Sequence, residues 1–243
     1  PFKSGAAKYV NGQIRFAGHY FGVWDSYGLS DYAFRSGSFS QDARGRWYAN
    51  IVVQIERQSA TGKGKIGIDL GLKTISVCSY GVELKASRFY RGMESKLGIA
   101  QRANKTKRIK AIHAKIKKRR LDSLHKFSTK LVNNNQLIVI GNVSSSGLAK
   151  TKMAKSVLDA GWSMLKTQLD YKSTAMRTVF IEVNEAYTTQ TCSCCGCISS
   201  NSPKGRAGLG IREWICAECG TQHQRDLNAA VNILALGHER LAV

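Results

Sequence analysis

The sequence predicts an α/β chain with a four-cysteine metal module set inside it and a small β-rich segment in front. Three observations carry that prediction. From residue 65 onward the patterns run three strands, helix, strand, helix, strand and a closing helix, the layout of helices packed on a sheet. Six of the seven cysteines fall between positions 192 and 219. Before residue 60, Gly, Ser and aromatic residues with short alternating runs replace the helical periodicity.

Residues 1–60 read as a small antiparallel sheet or partial barrel. Arg46–Ile55 is dominated by β-branched and aromatic residues, which fit a pleated, half-buried surface. Ile14–Phe21 supplies further strands. Residues 57–64, Arg-Gln-Ser-Ala-Thr-Gly-Lys-Gly, read as a linker. In Lys65–Gly71, Ile66, Ile68 and Leu70 alternate with Gly67 and Asp69. Ile75–Cys78 continues the sheet and Leu84–Phe89 adds a third strand. Residues 92–134 are helical in pattern, with Ile109, Ile112, Ile116, Leu121, Leu124 and Leu131 on one face. Leu137–Ile140 is fully apolar, as a strand buried on both faces should be. Ser144–Ala149 reads as a loop. Residues 156–175 read as a helix with Leu158, Trp162, Leu165 and Leu169 on its inner side, and Trp162 and Tyr171 are expected in the core. Thr178–Val183 is another strand. Residues 225–237 form an Ala-rich helix ended by Gly237. The expected divisions are 1–60, 61–190, a cysteine module at 191–222, and 223–243 returning to the α/β body.

The chain of 243 residues carries 37 Lys and Arg against 16 Asp and Glu, a formal charge of +21. Such a chain is expected to meet a polyanion. Fifteen of the basic residues and only two acids lie between Arg88 and Lys130, a net +13. Arg102, Lys105, Lys107, Arg108, Lys110, Lys115, Lys117, Lys118 and Arg119 are too many to be paired within the chain, so this stretch is the candidate nucleic-acid surface. No apolar run approaches a membrane span of roughly 18 residues, so no membrane partner is expected. Clustered cysteines point to metal binding in a reducing cytosol rather than to a disulfide framework. The first residue is proline, so an N-terminal portion is expected to precede it.

Cys192 and Cys195 form one CxxC pair and Cys216 and Cys219 the other, with twenty residues between them, the spacing of a zinc ribbon. Cys194 and Cys197 form an overlapping pair. Gly196 following Cys195 as Gly220 follows Cys219 favours the first choice. Four thiolates leave no open position, so this zinc is structural. His223 is a conceivable substitute ligand but reads as a surface residue. The loop carrying Lys204, Arg206 and Arg212 is either a nucleic-acid contact or a solvated loop.

Asp69 lies inside an apolar strand, where an acid is costly unless it faces solvent or a metal. Asp226 opens a helix and is either a metal ligand or an N-cap. Hard cations such as magnesium need oxygen ligands converging from different elements.

Gly67-Ile-Asp69-Leu-Gly71, the basic helical region, the apolar strand, Tyr187-Thr-Thr-Gln-Thr-Cys192, the paired CxxC and Arg225-Asp226-Leu-Asn-Ala-Ala-Val-Asn232 together resemble the TnpB family. These are transposon-encoded RNA-guided DNA nucleases related to type V CRISPR effectors and to Fanzor proteins. The resemblance covers roughly residues 45–237. It implies an RNase H-like RuvC fold interrupted by a zinc ribbon, with residues 1–60 as the tail of a wedge domain. It also implies guide RNA and target DNA as partners and phosphodiester hydrolysis with two Mg²⁺, leaving a 5′-phosphate. The family's glutamate after the apolar strand is missing here, since Gly141 stands in that place. Either the site is inactive or another acid has taken over. Some relatives carry a replacement glutamate before the Tyr-Thr stretch, and Glu185 matches it, with Glu182 as the fallback. The resemblance thus implies Asp69, Glu185 and Asp226 as magnesium ligands, with Gln190 and Arg225 as candidates for positioning phosphate. A nuclease-inactive RNA-guided DNA-binding protein and a guide-free zinc-ribbon protein remain the alternatives.

Overall fold

The computed structural model of the chain describes residues 1–25, 28–205 and 207–242. Its residues group into two compact units, Pro1–Glu56 with Ala100–His113, and Arg57–Ile99 with Ala114–Val243.

Among the described residues, the first unit holds five strands. β1 (Ala7–Val10), β2 (Gln13–Phe16) and β3 (His19–Gly22) form an antiparallel sheet, and β4 (Phe34–Gln41) pairs with β5 (Trp47–Val53). Phe2, Ala7 and Ile14 are buried among Phe16 and Phe39, whose rings lie 5.3 Å apart. The aromatic residues that break helical periodicity in the sequence are thus the core of this unit.

The second unit is built on a five-stranded mixed sheet. β6 (Gly64–Leu70), β7 (Thr74–Cys78) and β8 (Glu83–Lys85) form an antiparallel meander. α1 (Glu94–Arg102) and α2 (Thr106–Asn134) then lead to β9 (Asn135–Gly141), which pairs parallel to β6. α3 (Ser145–Leu148), α4 (Ala154–Ala160) and α5 (Trp162–Ala175) connect β9 to β10 (Val179–Val183), parallel again. The order across the sheet is β10-β9-β6-β7-β8. β11 (Glu213–Ile215) and β12 (Gln222–Gln224) form a small hairpin, and α6 (Arg225–Leu241) closes the chain.

The period-two pattern of β6 explains its two faces. Ile66, Ile68 and Leu70 enter the main core with Leu124, Phe127 and Leu131 of α2 and Leu165 and Leu169 of α5. Gly67 and Asp69 face the other way, toward α6. That helix buries Ile233 against Leu137, Val139 and Val183. α6 comes very close to the sheet at two glycines. A Cβ on Gly67 would strike the Ala230 carbonyl and sit 2.7 Å from the Leu234 nitrogen, and one on Gly237 would drive into Val139. Any side chain at either place would lift the helix off the strands.

Several elements depart from the sequence reading. Gly237 does not end the last helix. It lies inside α6 and is there for close approach. Residues 156–175 are two helices, because Gly161 takes a left-handed conformation (φ 70°) between α4 and α5. The change of direction leaves Leu158 63% exposed rather than inward, and Tyr171, expected in the core, is 49% exposed. Trp162 is buried as expected. The 92–134 region breaks at 103–105, where Asn104 has φ 50°. Ser144–Ala149, read as a loop, contains the one-turn helix α3, capped by the Ser144 hydroxyl accepting from the Gly147 N–H. Within the expected linker, the Gln58, Ala60 and Gly62 N–H groups donate to the carbonyls of Ala175, Met176 and Asn133. No described helix is long and apolar enough to cross a membrane.

Candidate active site

Two clusters of residue types that can ligate metals lie in the second unit. The first is the cysteine cluster. The sulfurs of Cys192, Cys195, Cys216 and Cys219 all lie within 4.8 Å of one another. Each pair sits on the same kind of turn. The Gly196 and Gly220 N–H groups return to the carbonyls of Cys192 and Cys216 at 2.9 Å, and both glycines have φ near 70–78°. This is the geometry in which two knuckles present four thiolates to one tetrahedral ion such as zinc. Cys194 and Cys197 are exposed and outside the cluster. His223 is not the surface residue the sequence suggested. It is buried on β12, its ring 4.7 Å from Trp214 and its Nε2 3.0 Å from the Cys192 sulfur. The alternation of a three-residue strand turns it inward, a pattern too short to read from sequence. Lys204 is exposed, and Arg206 lies outside the described residues.

The second set is the carboxylates. Asp69 is the next-to-last residue of β6. Ile68 pairs with Ile140 and Val183 with Gly141, so Asp69, Gly141 and the residues after Val183 meet at the carboxyl ends of three adjacent parallel strands. Ligand sites in open α/β sheets gather at such ends. Asp226 arrives from the first turn of α6. The N-cap of that helix is Gln224, whose side chain accepts from the Leu227 N–H, so Asp226 is not the cap.

Glu185 lies directly over Gly141. A Cβ at position 141 would collide with the Glu185 carboxylate and stand 3.1 Å from its Cβ. The Glu185 side chain therefore occupies the space that a residue at 141 would fill. Asn142 takes the Glu185 N–H on its side-chain oxygen at 3.3 Å, and the Thr188 hydroxyl donates to the Glu185 carbonyl at 2.8 Å. Two asparagines of α6 hold the following turn. Asn228 and Asn232 donate to the carbonyls of Thr188 and Thr191, and Asn228 accepts from the Ser193 N–H at 2.9 Å. The first two turns of α6 thus carry Asp226 and tie the segment after Glu185 to the first cysteine knuckle.

Burial and neighbouring carboxylates raise the pKa of Asp69 and of Glu185. Burial, then the charges of Asp226 and Glu185, push Asp69 up to about 8, against the pull of Arg225. Burial also raises Glu185, opposed by Lys166 and the Val143 N–H. The Glu185 Oε2 atom is buried without a hydrogen-bond partner. Buried carboxylate oxygens without partners are rare unless an ion or water completes them. The three carboxylates share one locality, but unlike the thiols they do not all lie within 4.8 Å of one another. Glu182, the fallback, points to the opposite face of β10 and pairs with Lys166 at 3.1 Å. Gln190 is half-buried in the turn that follows Glu185, its N–H donating to Tyr187.

Arg225 does not stand free for phosphate. Its Nε and Nη2 both reach Asp226 Oδ1 at 2.8 Å and its Nη1 donates to the Leu209 carbonyl. The other candidate nucleic-acid residues are exposed. Arg102, Lys105, Lys107, Arg108 and Lys110 belong to the first unit, and Lys115, Lys117, Lys118 and Arg119 to the second. None of the nine makes an ion pair with another described residue. The sequence reading assigned no role to Gly67, Asn228 or Asn232. The only available signal for them was their place inside the quoted motifs.

Two family models match the chain. The Cas12f1-like, TNB domain model covers residues 162–233, and the OrfB_IS605 model, described as "Probable transposase", covers 50–152. A Streptomyces pristinaespiralis protein, to which RNA-guided DNA endonuclease activity is ascribed, is 34% identical over 214 residues. The match takes in 82% of this chain and 52% of that protein. TnpB-like protein L79 of Acanthamoeba polyphaga mimivirus is 30% identical over 137 residues, 53% of this chain and 25% of that one. The chain belongs to the TnpB family. Its α/β fold is similar to that in the cryo-EM structure of a Cas12f1–sgRNA–target DNA complex. The TM-score is 0.54 at 15% identity, covering 82% of this chain and 65% of the other. This TnpB-family chain spans about half the length of the bacterial curated relatives it matches, 52% and 56% of the first two.

Proposed function

We propose that this chain is the nuclease portion of an RNA-guided DNA endonuclease of the TnpB type, with a RuvC-like site formed by Asp69, Glu185 and Asp226. The observation that carries this reading is the superposition of Glu185 on the space above Gly141, beside Asp69 and Asp226. A glycine there reads as a lost acid in sequence. In three dimensions it is the gap into which another acid is folded. That favours a relocated glutamate over an inactive site. The β6-β7-β8 meander followed by parallel β9 and β10, closed by α6, supports an RNase H-like core. Residues 1–60 are proposed as the tail of a wedge domain, 61–190 and 223–243 as the two parts of the nuclease, and 191–222 as its zinc ribbon.

The donor set fits magnesium. It is all oxygen, it crowds like charges that need a cation, and it leaves Glu185 Oε2 without a partner. Magnesium held by Asp69, Glu185 and Asp226 would supply Lewis-acid stabilisation of a phosphodiester transition state and an activated water. The residues do the rest. Gly67 lets α6 lie against β6 and so sets Asp226 beside Asp69. Asn142 and Thr188 fix the backbone of Glu185, and Asn228 and Asn232 fix the turn behind it. The exposed cations on α2 would neutralise phosphates of a guide RNA–target DNA heteroduplex through its backbone.

The test is cleavage by the full-length parent with its co-purified RNA in Mg²⁺. A target matching the guide should be cut and a scrambled target spared. Asp69→Ala should remove cutting while leaving target binding. Binding that ignores guide sequence would favour the guide-free zinc-ribbon reading instead.

A further inference from the structure

Asp226 sits under two guanidiniums that come from the two strands of the cysteine hairpin, both at its open end. Arg212 immediately precedes β11 and Arg225 immediately follows β12. Their backbones form the next rung beyond the Glu213–Gln224 pair, the Arg225 N–H donating to the Arg212 carbonyl at 2.7 Å. Cys216 and Cys219 sit at the tip of the same hairpin. The knuckle that would hold zinc and the two arginines on the acid are thus opposite ends of one short lever.

The two arginines are not equivalent. Arg225 is largely buried and triply tied, with two bonds to Asp226 Oδ1 and one to the Leu209 carbonyl. Arg212 has a more exposed side chain and makes a single 2.8 Å contact, from Nη1 to Asp226 Oδ2. One carboxylate oxygen is therefore fixed and the other covered by a group that can leave. A divalent cation at Asp226 needs an oxygen free, and a guanidinium nearby repels it. We propose that Arg212 is a positioning residue that occupies Asp226 Oδ2 until a divalent cation takes its place, so that the cysteine hairpin sets the cation affinity of the acid site. Arg225 orients the carboxylate throughout. This deepens the reading of Asp69, Glu185 and Asp226 as a cation site and rests on it.

The test is a titration of the zinc-loaded chain with Mn²⁺, following free Mn²⁺ by electron paramagnetic resonance. Zinc content per chain checks that each variant keeps its hairpin. Asp226→Asn should abolish the Mn²⁺ site. Arg212→Ala should tighten it about tenfold, the scale expected for removing one charge-assisted contact that competes with the ligand. Arg212→Lys, which keeps the charge but loses the fork, should fall between the two. If Arg212→Ala lowers zinc content, Arg212→Lys with full zinc carries the comparison. Wild-type binding that Asp226→Asn abolishes and neither Arg212 variant changes would overturn the role of Arg212 and leave the acid site standing. No Mn²⁺ binding by wild type or by either Arg212 variant would overturn both.

Discussion

The cysteine cluster and the proposed acid site would be two answers to the same problem of bringing ligands to a cation, and they differ in what delivers them. The cysteines come as two local turns, each written in four residues, and the fold has only to bring the turns together. The acids come one each from a strand end, a post-strand segment and a helix start, spread from position 69 to 226. Nothing local defines that site. Close approach at Gly67 and the space left at Gly141 define it. The first cluster should therefore fail when a ligand is lost, and the second also when a residue that binds nothing is changed.

The largest effect should come from the first cluster. Replacing Cys216 with Ser, or stripping the metal with a chelator, should cost several kcal/mol and unfold the 191–222 module. Thermal melts alongside zinc content check it. Gly141→Ala is the sharper test of the second. Its added methyl meets the Glu185 carboxylate, so overpacking of about 1–3 kcal/mol should come with about a hundredfold loss of cleavage. Unchanged cleavage in Gly141→Ala would remove the distinction between the two sites.

Next in size is a pH effect confined to the acid site. Asp69 is held at about 8 against an ordinary 3.8, so the native state keeps its proton where the unfolded chain loses it. Without magnesium, its contribution to stability is full below about pH 4 and is lost as pH rises toward 8. Glu185 is shifted the same way. Asp69→Asn should therefore be more stable than wild type at pH 8 by on the order of 2 kcal/mol and no different below pH 4. Melts across that range in magnesium-free buffer, with zinc retained, decide it. The smallest effect belongs to single surface cations. Lys117→Ala should weaken RNA binding a few-fold and reduce the slope of log affinity against log salt by about one.

The contrast between the clusters also marks how far the sequence could be read. The cysteine pairs, the apolar β9, the basic helix and the strand bearing Asp69 were legible because each is a short-range pattern. Gly161 and Gly237 were not. Gly237 looks like a helix stop, and only the packing of α6 on Val139 shows that it is a contact. Gly161 looks like one more small residue in a helix, yet its left-handed backbone divides α4 from α5 and turns Leu158 outward. His223 looked like a surface residue because a strand of three residues has no readable alternation. Asp226 was open between cap and ligand until Gln224 was seen to take the cap. Except at Gly161, where the miss is a local backbone conformation, each miss concerns what lies across from a residue, which spacing along a chain does not encode.

The most direct measurement compares Glu185→Gln with Glu182→Gln in the full-length parent ribonucleoprotein, scoring cleavage of a matched target in Mg²⁺ and target binding in the same samples. Glu185→Gln should lose about a thousandfold or more in cleavage and keep its binding, because an amide removes the charge in the same space. Glu182→Gln should cut nearly as wild type. Cleavage that survives Glu185→Gln would contradict the account, and cleavage lost instead in Glu182→Gln would move the third acid to the opposite face of β10.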